Sequence, residues 1–340
     1  MKNKINLGII GKNFGYHVIY KSFLKNKKYR FKGFSFKSKK LEKIKIPKNV
    51  KLYSNWKRLI LDKTINAVVV AAPPILHKNI IKFAIKNNTH IFCEKPFTCS
   101  YKEANYICNL IKRKKNISHM VNYEFGEIDA FHFLKKRIIN NVNINRIYLN
   151  WLIDIKKRSK VNWKENHSKG GGIIFNYVCH AIYYLEFLFG KIISIQTNIE
   201  SKKTSKIRTL NGVIFFKNGL STQLDIKVGS IKKKFRPVHQ LKILSDKRVY
   251  ILETKLNSLS DKFKLITSSN NSNQLNKILF KTEKSKEDFR IKPTFINSKK
   301  FSSWILKSKR QKPNFFDAQR VHWIINKMII SSKKKKKIYL

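Results

Sequence analysis

The chain has 340 residues and carries 74 Lys+Arg against 19 Asp+Glu, a formal charge of +55. Hydrophobic residues make up 42% and aromatics 12%, enough for a packed core, so disorder is excluded for most of the length; 12 glycines and 7 prolines exclude a collagen-like or low-complexity chain. At roughly 150 residues per domain, two domains are expected.

In chain order, the first 121 residues alternate strand and helix signals. Ile5–Ile10 is a short apolar run closed by glycine, followed by an amphipathic stretch over Tyr16–Asn26. A strand over Phe31–Phe36 precedes a helical pattern over Leu52–Leu61. Ala67–Ala72 (AVVVAA) is an uninterrupted apolar run, as a parallel strand buried on both faces requires. Ile80–Lys86 reads as a helix and His90–Cys93 as a strand. Helix Tyr101–Lys112 and strand Ile117–Val121 complete the series. This rhythm predicts an α/β domain over 1–121 built on a Rossmann-type, doubly wound parallel sheet.

After Val121 the rhythm changes. A helix over Ile128–Ile139 leads to strands at Ile144–Ile155, Ile192–Thr197, Gly212–Phe216, Ser221–Val228, Gln240–Leu244 and Lys247–Glu253. Asn211-Gly212, Asn218-Gly219 and Ser245-Asp246 read as turns between them. Asp261–Phe295 is polar and poorly patterned, and Phe315–Ile330 returns as a helix after Pro313. Residues 122–340 thus predict an α+β domain with a large, mostly antiparallel open sheet. Gly170–Gly190 approaches membrane-span length, but Asn176, His180 and Glu186 would be costly in lipid, so it reads as a buried helix and no membrane association is expected.

The charge is a weaker signal than its size suggests. Lysine outnumbers arginine about five to one, whereas base and phosphate forks favour the bidentate arginine. The lysines are spread through every segment, and the abundant Ile, Asn, Phe and Tyr are residues of A/T-rich codons. Compositional bias accounts for this pattern without a specific nucleic-acid partner, and Lys333–Lys337 reads as a solvated run. Cys93, Cys99, Cys108 and Cys179 show no paired metal-ligand spacing, so no metal is expected. Without a secretory signal they read as reduced thiols of a cytoplasmic protein.

Several residues carry chemistry. The first strand runs through Gly8 into Gly11-Lys12-Asn13-Phe14-Gly15 and then opens a helix. Glycines at such a turn let the backbone approach a pyrophosphate, and the helix start attracts its charge. The spacing departs from G-x-G-x-x-G, with Asn13 at the middle position and Gly15 one residue early. The second strand ends Ser35-Phe36-Lys37-Ser38 with no carboxylate before Glu42. Hydroxyl and basic groups there, at Ser35, Lys37 and Ser38, suit the 2′-phosphate of NADP over NAD, although lysine is common throughout.

Three further pieces stand in order: Ala72-Pro73-Pro74-Ile75-Leu76-His77, then Cys93-Glu94-Lys95-Pro96, then Gly170-Gly171-Gly172 followed by Asn176 and His180 one helical turn apart. With Trp163-Lys164 before the glycines and the terminal Phe315-Phe316-Asp317-Ala318, they resemble the Gfo/Idh/MocA oxidoreductases over nearly the whole chain. The resemblance implies that Lys95 binds a substrate hydroxyl and assists proton transfer beside a proline that is often cis. It implies that His180 is the acid/base. Asn176 stands where relatives often have aspartate, and an amide orients a hydroxyl but takes no proton. Ala72, Pro73, Pro74, His77 and Glu94 would lie along the cofactor. Tyr123, Glu124, Trp163 and Lys164 would face the substrate, a carbohydrate-like molecule, and the C-terminal sheet would pair subunits into a homodimer or homotetramer. Two alternatives stay open: a cofactor-binding regulatory protein without turnover, and an imine reductase, which the Asn13-Phe14-Gly15 turn also resembles.

Overall fold

A computed structural model describes residues 4–36, 47–139, 143–154, 169–201, 208–229, 238–255, 263–269, 277–282 and 287–340. The chain forms two compact units. The first holds Met1–Glu124, Trp163–Cys179 and Arg290–Trp323, and the second holds Phe125–Asn162, His180–Phe289 and Ile324–Leu340.

The first unit is built on six parallel strands: β1 (Ile5–Ile10), β2 (Tyr29–Ser35), β3 (Lys51–Tyr53), β4 (Ala67–Val70), β5 (His90–Cys93) and β6 (His119–Val121), in the order β3-β2-β1-β4-β5-β6. All four residues of β4 are fully buried, as its unbroken apolar run requires. Strand order reverses between β1 and β4, and ligands of doubly wound sheets bind beyond the carboxyl ends of the strands at such a point. The helices are α1 (π-helical Gly15–Tyr20 continuing as Lys21–Leu24), α2 (Trp56–Leu61), α3 (Pro74–Lys86) and α4 (Tyr101–Lys112). Pro74 occupies the first turn of α3, where its missing N–H costs nothing. Ser100 caps α4 by accepting from the Glu103 N–H at 3.3 Å.

Two expectations are corrected here. Leu52–Leu61 is not one helix: Leu52 and Tyr53 pair with Phe34 and Ser35 in β3, and only Trp56–Leu61 is helical. Asn55 caps that helix by accepting from the Arg58 N–H, so helix and strand are separated by a cap that the apolar spacing hides. The polar 261–295 stretch is also structured in part: it contains two strands, described below, and the start of α7 (Ile291–Lys307). α7 lies against α1, with Phe301 and Trp304 in the same core cluster as Leu7, Phe23 and Phe92.

The second unit carries α5 (Asp129–Ile138) and nine strands. These are β7 (Ile144–Asp154), β8 (Ile192–Ser201), β9 (Arg208–Phe216), β10 (Ser221–Gly229), β11 (Val238–Ser245), β12 (Arg248–Lys255), β13 (Lys264–Ser269), β14 (Lys277–Lys281) and β15 (Ile338–Tyr339). Only β7 and β10 pair in parallel; every other neighbour is antiparallel. Asn218-Gly219 and Ser245-Asp246 make the β9–β10 and β11–β12 turns. Asn211-Gly212 does not turn. It lies inside β9, where a Cβ on Gly212 would sit 2.2 Å from the Gln196 carbonyl oxygen of β8. The glycine there serves close strand approach.

Two helices have residues assigned to each unit. α6 begins as π-helical Ile174–Val178 and continues as Cys179–Phe189; α8 spans Phe315–Lys334. Within the second unit, α8 binds β8: the Thr197 hydroxyl donates to the Met328 carbonyl at 2.8 Å, and the Thr197 N–H to the Ser331 hydroxyl at 3.0 Å. Among the described residues, no helix is long and apolar enough to cross a membrane.

Candidate active site

The glycine turn is held by backbone geometry. The Gly11 N–H donates to the Ser35 carbonyl at 2.9 Å, tying β1 to β2. Gly11 has φ +127°, and a Cβ on it would sit 2.2 Å from the Ala71 carbonyl oxygen. Both facts demand glycine. At Gly15 the contact is looser, 3.3 Å to the Ile9 side chain, which suits helix-on-strand packing. The turn is compatible with a dinucleotide pyrophosphate: glycine lets β1 pass close to the loop after β4, and the turn opens directly into a helix start, the end that attracts phosphate charge. A Cβ on Gly8, by contrast, meets only the Leu59 side chain. Asn13 is exposed at the start of the helix, and the Phe14 ring is covered by the Arg290 guanidinium at 4.9 Å. Ser35 is buried at the end of β2, while Lys37 and Ser38 lie outside the described residues, as do Trp163 and Lys164.

Two loops of the first unit are joined by His77. Its Nε2 lies 2.8 Å from the Ala72 carbonyl oxygen, and its Nδ1 lies 3.1 Å and 3.2 Å from those of Pro96 and Phe97. His77 is fully buried on α3 and does not reach solvent; burial pulls its pKa down, against the three carbonyls that pull it up. Pro73 is exposed and Pro74 buried. The glycine run rests on them: Gly170 has φ +77°, and a Cβ there would lie 2.7 Å from the Pro74 side chain.

The Lys95-Pro96 peptide is cis. Lys95 follows β5, and its ammonium donates to the Asn176 backbone carbonyl at 3.0 Å and to Asn176 Oδ1 at 3.4 Å. Asn176 lies in the π-helical turn of α6, a rare geometry that shifts side chains relative to the regular helix. Lys95 and Asn176 are thus brought together from positions 81 residues apart.

Beside Lys95, Glu94 is buried and accepts from Asn122 Nδ2 at 2.7 Å. Burial and the neighbouring Glu124 carboxylate hold its pKa well above the ordinary carboxylate range, against the pull of Asn122, Lys95 and Arg290. Tyr123 and Glu124 are both buried, with no exposed surface of consequence.

His180 lies four residues beyond Asn176 along α6 and belongs to the second unit. It is buried with its ring 4.5 Å from that of Phe125. Phe125 also faces His239, whose ring stacks on Trp151 at 4.0 Å and 3°. His239 Nε2 lies 2.8 Å from the Tyr184 hydroxyl, and burial lowers its pKa to about 3, so the ring is neutral. No sequence motif marks this group. The signal was available: β11 alternates strictly, which puts His239 on the same inward face as Leu241 and Ile243. Among the described residues, no cluster of three or more His, Cys, Asp or Glu is placed to hold a metal ion.

Family models match both parts of this arrangement. The oxidoreductase-family NAD-binding Rossmann fold matches residues 5–123, and the C-terminal alpha/beta domain of the same family matches residues 135–259. The chain belongs to the Gfo/Idh/MocA oxidoreductase family. An uncharacterized oxidoreductase of Schizosaccharomyces pombe is 30% identical over 157 residues, 46% of this chain and 42% of that protein. Levoglucosan dehydrogenase of Pseudarthrobacter phenanthrenivorans is 31% identical over 150 residues, 42% of this chain and 37% of that enzyme. The aligned stretch thus spans about two-fifths of these curated relatives. A solved levoglucosan dehydrogenase in complex with NADH shares the fold across 99% of both chains, with a TM-score of 0.81 at 17% identity. The family establishes a nicotinamide-binding Rossmann domain in this chain.

Proposed function

We propose that this Gfo/Idh/MocA protein transfers hydride between a nicotinamide cofactor, NADP in preference to NAD, and a hydroxyl or keto carbon of a sugar, sugar derivative or cyclitol. The observation that carries the reading is the Lys95 ammonium seated on both oxygens of Asn176 beyond the carboxyl end of β5. Two of its three N–H groups are spent on Asn176, which leaves one to point at a substrate oxygen. Gly11, Asn13, Phe14 and Gly15 form the phosphate turn of the same sheet, and Gly8 lies within β1, the strand that leads into it. Ala72, Pro73 and Pro74 line the next loop, and His77 sets its distance from Lys95.

The bound nicotinamide supplies a two-electron hydride acceptor. In this reading His180 is the residue assigned to take the O–H proton of an alcohol being oxidised, and Lys95 the residue assigned to hold its oxygen; reduction would reverse both roles. Asn176 orients but exchanges no proton. Ser35, Lys37 and Ser38 are assigned to the 2′-phosphate, and Tyr123, Glu124, Trp163 and Lys164 to the substrate side. The absence of a carboxylate between Ser35 and Lys40 supports NADP. Four cysteines without a disulfide support a cytoplasmic location. A homodimer or homotetramer is the assembly the family resemblance favours.

The test is a thermal-shift titration with NADP and NAD, then a search for cofactor reduction over sugars, anhydro sugars, cyclitols and sugar nucleotides. NADP should raise the melting temperature more than NAD, and at least one polyol should be turned over. A larger effect of NAD would defeat the 2′-phosphate assignment. Tight cofactor binding with no turnover on the whole panel would favour a regulatory protein instead.

A further inference from the structure

The helix that the sequence did not announce, α7, reaches the candidate site. Thr294 and Asn297 of α7, with Arg290 just before it, are spaced four and then three residues apart and so share one helix face. Thr294 and Asn297 are fully buried, and buried polar groups are there to be paired. Asn297 Nδ2 donates to Asn122 Oδ1 at 3.0 Å. Asn122 Nδ2 in turn donates to Glu94 Oε1 at 2.7 Å and to the Thr294 hydroxyl at 3.1 Å. With its oxygen engaged by a donor, the Asn122 amide has one orientation left, NH2 toward Glu94.

We propose that Asn297 is a positioning residue: acting through Asn122, it aims a hydrogen-bond donor at Glu94 Oε1 and so sets how readily that carboxyl ionises. The catalytic relevance of Glu94 rests on the reading given above; the relay itself does not.

Three observations support it. The polarity of the chain is fixed from end to end, Asn297 to Asn122 to Glu94. Asn297 Oδ1 is buried with no partner among the described residues, so the side chain gives up one hydrogen bond to keep this orientation. Finally, the same helix face supplies charge. The groups facing Glu94 are Glu124, which disfavours its ionisation, and Lys95 and Arg290, which favour it, with the Cys93 thiol adjacent. Arg290 is anchored over the Phe14 ring, which ties its position to the glycine turn. Glu94 is therefore balanced between burial and one repelling carboxylate on one side and Asn122, Lys95 and Arg290 on the other, two of which α7 and the residue before it set in place.

An aspartate at position 297 would offer only oxygens. Asn122 would turn over and present its carbonyl to Glu94, which could then pair only by keeping its proton. The test is NMR titration of the full chain labelled with carboxyl-13C glutamate, with the Glu94 signal identified by its loss in Glu94→Gln. Asn297→Asp and Asn297→Leu should raise the Glu94 midpoint by about one pH unit or more. The leucine variant carries no added charge, so its shift isolates the lost orientation. Thr294→Val should give a smaller shift in the same direction. Ser302→Ala, on the part of α7 that receives Asn26 Nδ2 at 3.2 Å, should leave the midpoint unmoved. Thermal unfolding of each variant reports folding separately. An unshifted Glu94 midpoint in both Asn297 variants overturns the proposal. If the midpoint shifts while NADPH affinity keeps its pH dependence, the relay stands and the assignment of Glu94 to the cofactor site falls.

Discussion

The imidazole of His77 spans the gap between the Ala72 carbonyl, 2.8 Å from Nε2, and the Pro96 carbonyl, 3.1 Å from Nδ1. One side chain on α3 thereby fixes the distance between the loop after β4 and the loop after β5. His77→Leu would remove this tie and leave buried carbonyls without a partner, at a cost of about 1–3 kcal/mol. The expected result is a lower denaturation midpoint together with weaker NADP binding, measured by urea unfolding and by calorimetric titration. Unchanged affinity in a destabilised protein would restrict His77 to folding.

Lys95 is the group whose loss should separate chemistry from binding. Lys95→Met keeps much of the stem and removes the ammonium. NADP affinity should change little, while turnover falls by a factor of about 100 or more, the scale of a lost acid/base contribution. Lys95→Arg should not restore it, because a planar guanidinium fork does not take the place of a compact ammonium seated on both oxygens of Asn176. Single-turnover kinetics with a substrate found in the polyol panel decide the point.

The glycines of β1 and of the turn after it should differ in sensitivity. Gly11→Ala places a Cβ 2.2 Å from backbone oxygen at φ +127°, and neither can yield easily. A loss of about 1–3 kcal/mol and of cofactor binding is expected. Gly8→Ala meets the Leu59 Cδ2 at 2.5 Å, a side chain that can rotate, so the loss should be smaller. Gly15→Ala, at 3.3 Å from the Ile9 side chain, should be the mildest. The order in melting temperature is the measurement, and a reversed order would contradict the geometry of the turn.

Glu94 gives a pH dependence with a definite sign. Its pKa is raised in the folded protein, so the native state holds a proton that the unfolded chain releases above ~4.3. Stability from this source is complete below that pH and is lost as pH rises through the folded value. Because Glu124 is the neighbouring repelling group, the loss belongs to the pair of carboxyls. Glu94→Gln should therefore gain stability relative to the parent as pH increases from the carboxylate range into the neutral range. Urea midpoints measured across that interval check it; parallel curves for the two proteins would refute the raised value.

Much of the first unit was legible because its signals are local. The Ala67–Val70 run is buried on both faces, so it is apolar throughout, and Gly11 marks a turn no other residue could make. The Lys95–Asn176 contact was legible only through resemblance, since 81 residues separate the partners. α7 was not legible at all. Its Thr294, Asn297, Ser298 and Ser302 are buried because distant groups bond them: Asn122 donates to Thr294 and accepts from Asn297, and Asn26 donates to both serines. A polar face that points inward reads as a loop when its partners lie elsewhere in the chain. Asn211-Gly212 failed for the opposite reason. The dipeptide is a strong local turn signal, and the nearness of β8 overrode it.

The return of 290–323 to the first unit has a consequence for biosynthesis. Phe301 and Trp304 share a core cluster with residues of β1, β2 and β4, all of which leave the ribosome long before them. At ~5–20 residues per second, the parallel sheet would wait on the order of 10–40 s after β6 is made for its covering helix. During that interval Leu7, Phe23 and Phe92 would present apolar surface in a strongly cationic nascent chain. Folding of this protein in the cell is thus timed by its last third, and a chaperone that binds exposed apolar strands would find its substrate early and release it late.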